Sequence, residues 1–269
     1  MLLTSAAAVL PTLVVDRAGR RLQVDPATLT AALHHLRPRP VAMVDRAVQA
    51  AGDARLRSAG LVADTTLVPW AARLLGPVAR DPAPLEVEVF EGGEVTGFGL
   101  WQDDTRATLG ERRADGVMIV STIPALHGDA TIADLVGLDD PPGRSQGEAV
   151  TIDERLLSRF LGRLAAGDTP RAGGLLAGRP VSLQALRALL ALADGRARWW
   201  SAERTTDSGG ASPGTGLQVI DAGAGGLWCS QAENRSLSSE LVLAPAYPDQ
   251  IRDRLAALCG SCAGVTSAA

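Results

Sequence analysis

The sequence predicts an α+β fold, built as two similar halves around a mostly antiparallel sheet. Two observations carry this. First, stretches about half a chain apart read alike: Ala59-Gly60-Leu61-Val62-Ala63 and Gly173-Gly174-Leu175-Leu176-Ala177. Each is followed by a leucine-rich helical stretch, then by β-like runs. Each series closes on an apolar strand ending in Pro-Ala, at Pro124-Ala125 and Pro245-Ala246, with a further helix at Ile132–Asp134 or Ile251–Asp253. The period is far longer than that of solenoid repeats. Second, the β-like runs are short, consecutive and joined by tight turns, which is the pattern of an antiparallel meander and not of a doubly wound parallel sheet. The plan divides the chain into an N-terminal half (1–138), a linker (139–147), a second half (148–262) and a tail (263–269), all within one body.

Element by element, Thr12–Asp16 and Arg21–Asp25 form a hairpin through Arg17-Ala18-Gly19-Arg20. Asp25-Pro26 supplies an N-cap and a first-turn proline for a helix over 26–36. Arg37-Pro38-Arg39-Pro40 breaks it. A second helix spans 41–59 and stops at Gly60. Apolar residues at Leu67, Val68, Ala71, Leu74 and Leu75 draw a helical stripe that Gly76-Pro77 ends. Leu85–Phe90 alternates strictly, so one face is buried and one is wet. Glu91-Gly92-Gly93-Glu94 is a glycine-rich hairpin turn into Val95–Trp101. Strands follow at 105–112 and 117–123, then a helix at 130–136.

In the second half, helices are predicted at 153–166 and 183–193, the latter capped by Ser182. Strands are predicted at 197–204, 217–221, 227–232 and 239–243. Thr205–Gly216 is a long Gly/Ser/Pro-rich loop. A last helix, 248–259, places Ile251, Leu255 and Leu258 on one face.

Composition narrows the function classes. A chain of 269 residues buries roughly 75% of its unfolded surface and needs no covalent staple. With 46% apolar but only 3% aromatic residues, Ala, Leu and Val must fill the core. Every basic residue is Arg, a bias that fits a GC-rich genome. A net charge of −4 argues against general nucleic-acid binding. Three cysteines make no disulfide framework and fit a reducing compartment. No run reaches the ~18–20 apolar residues of a membrane span, and the apolar start lacks the basic residues that open a signal peptide. The expected location is cytoplasmic.

The motif search yields no catalytic residue, metal ligand or cofactor site. Gly143-Arg144-Ser145-Gln146-Gly147 has nucleophile-elbow spacing, but Pro141-Pro142 stand where that motif needs a strand. Cys259-Gly260-Ser261-Cys262 falls at a helix C-terminus, where the dipole works against a reactive thiolate. Adjacent His34 and His35 diverge by about 100° on a helix and clamp a metal poorly, which suits a surface or interface role. Trp199-Trp200 sends one ring to each sheet face. One belongs to the core; the other covers the sheet or anchors a partner.

The layout resembles the EspG family of type VII (ESX) secretion-associated chaperones. The resemblance runs from Thr12 to about Leu258. It rests on the opening hairpin, Gly60-Leu61-Val62 before a helix, Leu217–Asp221 with its glycine-rich turn, the strand ending in Ala244-Pro245-Ala246, and the leucine-rich last helix. It implies a quasi-two-fold body whose central, mostly antiparallel sheet is flanked by two helical bundles. It implies a non-enzymatic, cytosolic chaperone that needs no cofactor and binds the apolar tip of a PE–PPE-type heterodimer or related ESX substrate, with no nucleic acid and no membrane insertion. The chaperone itself is then a monomer or weak homodimer. The family's contact surface maps here onto Leu85–Phe90, onto Glu91, Gly92, Gly93 and Glu94, and onto the last helix with Ile251, Leu255 and Leu258. The Glu91–Glu94 loop is shorter than the family's. The alternative is a non-catalytic scaffold or ligand-binding α+β protein, alone or as a homodimer.

Overall fold

The structure is a computed structural model. It describes residues 13–36, 46–138 (without 82, 104 and 114), 149–177, 188–189, 191–192, 194–204, 216–223, 226–230 and 240–260. The linker, the tail, Cys262, Ser145, Ser182 and the loop 205–215 lie outside these residues.

In chain order the elements are β1 (Leu13–Asp16), β2 (Arg21–Val24), α1 (Pro26–Leu36), α2 (Arg46–Ser58), β3 (Val62–Ala63), β4 (Thr66–Leu67) and α3 (Pro69–Arg80). Then come β5 (Leu85–Glu91), β6 (Glu94–Gln102), β7 (Arg106–Arg112), β8 (Met118–Pro124), a 3-10 turn (Ala125–His127) and α4 (Gly128–Leu135). The remainder comprises β9 (Val150–Asp153), α5 (Glu154–Ala165), α6 (Thr169–Leu176), β10 (Arg198–Arg204), β11 (Gly216–Asp221), β12 (Leu227–Ser230), β13 (Glu240–Ala246) and α7 (Pro248–Gly260). The fold is mixed α and β with a large antiparallel sheet, to which eleven of the described strands belong. By contacts the chain forms two units: Met1–Pro84 with Gly97–Leu126, and Leu85–Thr96 with His127–Ala269.

In the first unit the strands follow the order β1-β2-β8-β7-β6. The predicted opening hairpin is present, with Leu13 opposite Val24 and Asp16 opposite Arg21. Helix α1 spans the expected residues because Asp25 caps it: its Oδ1 accepts from Thr28 N at 3.0 Å and its Oδ2 from the Thr28 hydroxyl at 2.8 Å. Asp25 is buried, and Arg55 on α2 reaches Thr28 Oγ1 at 2.8 Å, so the cap also ties α1 to α2. Helix α2 ends as predicted in a Schellman motif, with Gly60 N donating to Arg57 O and Leu61 N to Leu56 O. The core packs Leu22 and Val24 of β2 and Val120 of β8 under Leu29, Leu56, Leu74 and Leu75.

Helix α3 departs from expectation at both ends. Leu67 belongs to β4, Val68 is the N-cap, and the helix continues through Gly76-Pro77 to Arg80. A proline disfavours helix at the preceding residue through a clash with its Cβ, and Gly76 has none. Burial of Gly76, Pro77 and Ala79 then holds the last turn, and Asp81 N closes it on Pro77 O at 2.8 Å.

The second unit follows the order β5-β10-β11-β12-β13-β9. Strand β9 and helix α6 were not foreseen. The run Gly173–Leu176, likened in sequence to Gly60–Val62, is helical, capped by Asp168 with Pro170 in the first turn. The two runs therefore take different local structures. Neither Pro-Ala pair closes its strand from outside: β8 includes Pro124, and β13 runs through Pro245 to Ala246. On one sheet face Phe90, Ile220 and Trp228 pack with Leu156, Leu157 and Phe160 of α5 and with Leu189 and Leu192.

Two glycines test this packing. A Cβ at Gly52 of α2 would lie 2.8 Å from both Ala27 O and Ala31 Cβ of α1, whereas one at Gly162 of α5 meets nothing within 4 Å. Gly52→Ala is expected to cost about 1–3 kcal/mol by forcing α1 and α2 apart. Gly162→Ala is expected to gain about 0.5–1 kcal/mol from helix propensity. Urea unfolding of the two variants checks this, and equal midpoints would contradict the close approach of α1 and α2.

Candidate functional site

Strand β5 shows the alternation read from its sequence. Leu85, Val87 and Val89 are buried, while Glu86 and Glu88 are exposed. Its register with β10 sets Phe90 opposite Trp199, Glu88 opposite Ser201 and Glu86 opposite Glu203. On the other side of β10, Trp199 faces Ile220, Ser201 faces Gln218 and Glu203 faces Gly216. One sheet face therefore carries three successive rows: apolar, then polar with the Glu88 carboxylate at β5, then acidic at β5 and β10. The period-2 geometry of strands sends Trp200 to the opposite face, where it is 1% exposed. Trp199 is half-buried and packs against the apolar row.

Helix α5 covers only part of this face. Asp153 fixes its start by accepting from Leu156 N at 2.9 Å. The packed side of the helix then lies over the Phe90–Trp199–Ile220 row. Between α5 and strands β5, β10 and β11 a groove of about 310 Å³ stays open. Phe90, Trp199 and Ser201 line the sheet side, and Leu157 and Leu161 line the helix side. Val95, 50% exposed, stands at the edge, and Glu88 and Glu203 also line the groove.

The β5–β6 turn lies beside this groove in sequence. Gly92 and Gly93 have φ of 60° and 91°, the left-handed pair that a two-residue hairpin requires. Glu91, Gly92, Gly93 and Glu94 are all exposed. Glu91 is not idle: its Oε1 accepts from Arg198 Nη2 at 2.7 Å, while Arg198 Nη1 donates to Val136 O at 2.6 Å at the end of α4. A side chain at Gly137 would strike that guanidinium, its Cβ only 2.2 Å from Nη1.

Helix α7 is placed differently. Ile251 and Leu255 are fully buried in the unit, and Leu258 is half-buried. Arginines anchor the helix. Arg204 Nε donates to Leu258 O at 2.7 Å, Arg252 Nη2 to Leu138 O at 3.2 Å, and Arg254 Nη1 to Ser230 O. The apolar stripe read from the sequence is thus the packing face of the helix.

The other singled-out residues fall to structural duties. His35 is largely buried, with Nε2 2.9 Å from Asp53 Oδ1 and Nδ1 3.0 Å from Thr65 O, so it bridges α1, α2 and the β3–β4 turn instead of meeting solvent. The two adjacent positions gave no sign of those partners. Among the described residues no group of three His, Cys, Asp or Glu side chains could hold a metal. Burial pushes the Cys229 thiol up to about 11 against the pull of Arg254. Burial also pushes Cys259 up to about 11, with Asp129 adding to the rise and Arg204 opposing it. The groove itself was half legible: the Trp199–Trp200 split announced an apolar ring on each face, and the helix expected over 153–166 is α5, but nothing in the sequence gave how much of the sheet face that helix covers.

No family profile matches the chain, and no curated protein is detectably similar in sequence. Among solved structures, one titled as the Mycobacterium tuberculosis type VII secretion system chaperone EspG5 in complex with the PE25–PPE41 dimer contains a chain that aligns over 90% of this one and 96% of its own length. The TM-score is 0.49 and the sequence identity 15%. Among the described residues no helix is long and apolar enough to cross a membrane.

Both described thiols are expected to be inert in the native state. In a Cys262→Ser variant, thiol labelling at neutral pH should count no reactive sulfhydryl until the protein is unfolded. Because folding raises both values, their contribution to stability is full below the ordinary thiol pKa near 9 and is lost as pH rises toward 11. The urea midpoint should fall across that window. Rapid labelling of the folded variant would refute the burial of these thiols.

Proposed function

We propose that the chain is a cytosolic chaperone of type VII (ESX) secretion that binds a PE–PPE-type substrate and keeps it soluble. The observation that supports this most is the incompletely covered sheet face of the second unit, where half-buried Trp199 and exposed Val95 stand open to a partner over the buried Phe90. The sequence resemblance to EspG proteins supports the same reading. An apolar tip laid on such a face leaves water, which removes the surface that drives aggregation. The exposed polar row along this face supplies the rim that a releasable interface needs.

In this reading the exposed turn Glu91, Gly92, Gly93 and Glu94 meets the partner directly. Ile251 and Leu255 act from inside by seating α7, and Leu258 contributes from the helix margin. Exposed Glu88 favours a partner with arginine or lysine beside its apolar tip. Binding is stoichiometric and requires no nucleotide.

Co-expression with a PE–PPE pair from the same host tests the proposal. The expected outcome is a one-to-one complex that survives gel filtration and raises the soluble yield of the pair. Val95→Asp and Trp199→Ala should each weaken it by about tenfold or more, as loss of an interface anchor does. Val48→Asp, an exposed site on the first unit, should not. A chain that purifies alone, or a stable homodimer indifferent to the pair in light scattering, would support the scaffold reading instead.

A further inference from the structure

The first unit holds a concentration of positive charge that the proposed function does not use. Where α3 packs on β7 and β8, a cavity of about 200 Å³ is lined by Arg20, Trp70, Arg73, Leu74, Arg106 and Thr122. Arg20 ends the β1–β2 turn, with a left-handed φ of 49°. Trp70 and Arg73 come from the start of α3, Arg106 opens β7, and Thr122 lies on β8. Three separate segments thus bring an arginine to one concave site, in a chain whose net charge is −4.

Two arginines of the same unit are paired. Arg55 pairs with Asp25 and Arg80 with Asp103. Among the described residues, Arg20, Arg73 and Arg106 make no ion pair with any carboxylate. Asp103, three residues before Arg106, is already committed. It accepts from Arg80, from the backbone N–H groups of Thr105 and Arg106, and from the Thr105 hydroxyl. Burial alone would raise its carboxyl, but these donors hold it below the ordinary range. Like charges gathered around a cavity repel one another, and an anion placed among them relieves that cost.

The chemistry selects the anion. A guanidinium presents donors in a fork that matches two oxygens of a phosphate, and three forks with one hydroxyl can saturate such a group. The volume equals that of about seven liquid waters, enough for a phosphate and a few attached atoms but not for a helix or strand. Trp70 supplies a flat apolar wall for whatever the phosphate carries. We propose that this cavity binds a phosphate group, as inorganic phosphate or a small soluble phosphate monoester, with Arg20, Arg73, Arg106 and Thr122 as its donors.

Titration of the full chain with inorganic phosphate at neutral pH and constant ionic strength, followed calorimetrically and by phosphorus NMR line width, tests this. Saturable one-to-one binding is expected. Arg73→Gln and Arg106→Gln should each weaken it by about tenfold, while Arg155→Gln on α5 of the second unit leaves it unchanged. Arg73 is exposed, so its variant keeps the fold and the test stands even if Arg106→Gln fails to fold. Absence of saturation, or an equal loss with Arg155→Gln, would overturn the proposal. Binding to phosphatidic-acid vesicles without any response to inorganic phosphate would overturn it too, in favour of a lipid surface.

Discussion

The pairing of β5 with β10 governs the second unit. Seven residue pairs, from Leu85 opposite Arg204 to Glu91 opposite Arg198, join segments more than a hundred residues apart. A slip of one residue would exchange the two faces of β10, turning Trp200 into the groove and Trp199 into the opposite core. The register is held by what each face buries. Trp200 and Ala202 are almost completely enclosed on one side, and Phe90 and Ile220 on the other. Because both faces carry large apolar side chains at fixed steps, no neighbouring register buries as much. The placement of Trp199 beside Phe90, and hence the apolar floor of the groove, follows from this ladder.

The ends of that ladder are secured by arginine. Arg198 and Arg204 stand at the two termini of β10, and both turn to backbone carbonyls: Arg198 to Val136, Arg204 to Leu258. Arg252 and Arg254 do the same from α7 toward Leu138 and Ser230. Helix C-termini leave carbonyls without intrahelical partners and carry the negative end of the dipole, so a cation there satisfies both needs. Arginine suits the task because one guanidinium reaches two acceptors. Arg198 serves Val136 O and Glu91 together, at the expense of a buried Nε with no partner. In a chain without lysine, these four arginines thus act as mortar between helices and sheet, a use distinct from surface ion pairs, which contribute little when exposed.

This division explains how far the sequence could be read. Elements with local signals were legible: Asp25-Pro26 sets the start of α1, Gly60 sets the end of α2, and Gly92-Gly93 sets the β5–β6 turn. Strand faces were legible where alternation is strict, as in Leu85–Phe90. What failed depends on distant partners. The last turn of α3 survives Pro77 because its neighbours are buried. Strand β9 is four residues long and exists because β13 offers it an edge, Val150 opposite Leu243. The apolar stripe of α7 was visible, but whether it faces inward or outward is decided by α4 and β10, against which it packs. The three-arginine cavity was invisible because its members are 53 and 33 residues apart in the chain, at positions 20, 73 and 106.

The two candidate surfaces call for opposite physical chemistry, and they lie in different units. In the second unit the open face is apolar at its floor and acidic at its rim, so it gains by losing water and repels anions. In the first unit the cavity is small and rimmed by cations that lack counter-charges among the described residues, so it gains by acquiring an anion and offers little apolar area to a macromolecule. A single ligand cannot satisfy both. A partner protein with an apolar tip and basic flanks matches the groove and is repelled by the arginines, while a phosphate matches the arginines and is repelled by Glu88. The two proposed activities, partner binding and anion binding, therefore fall to different units of the chain.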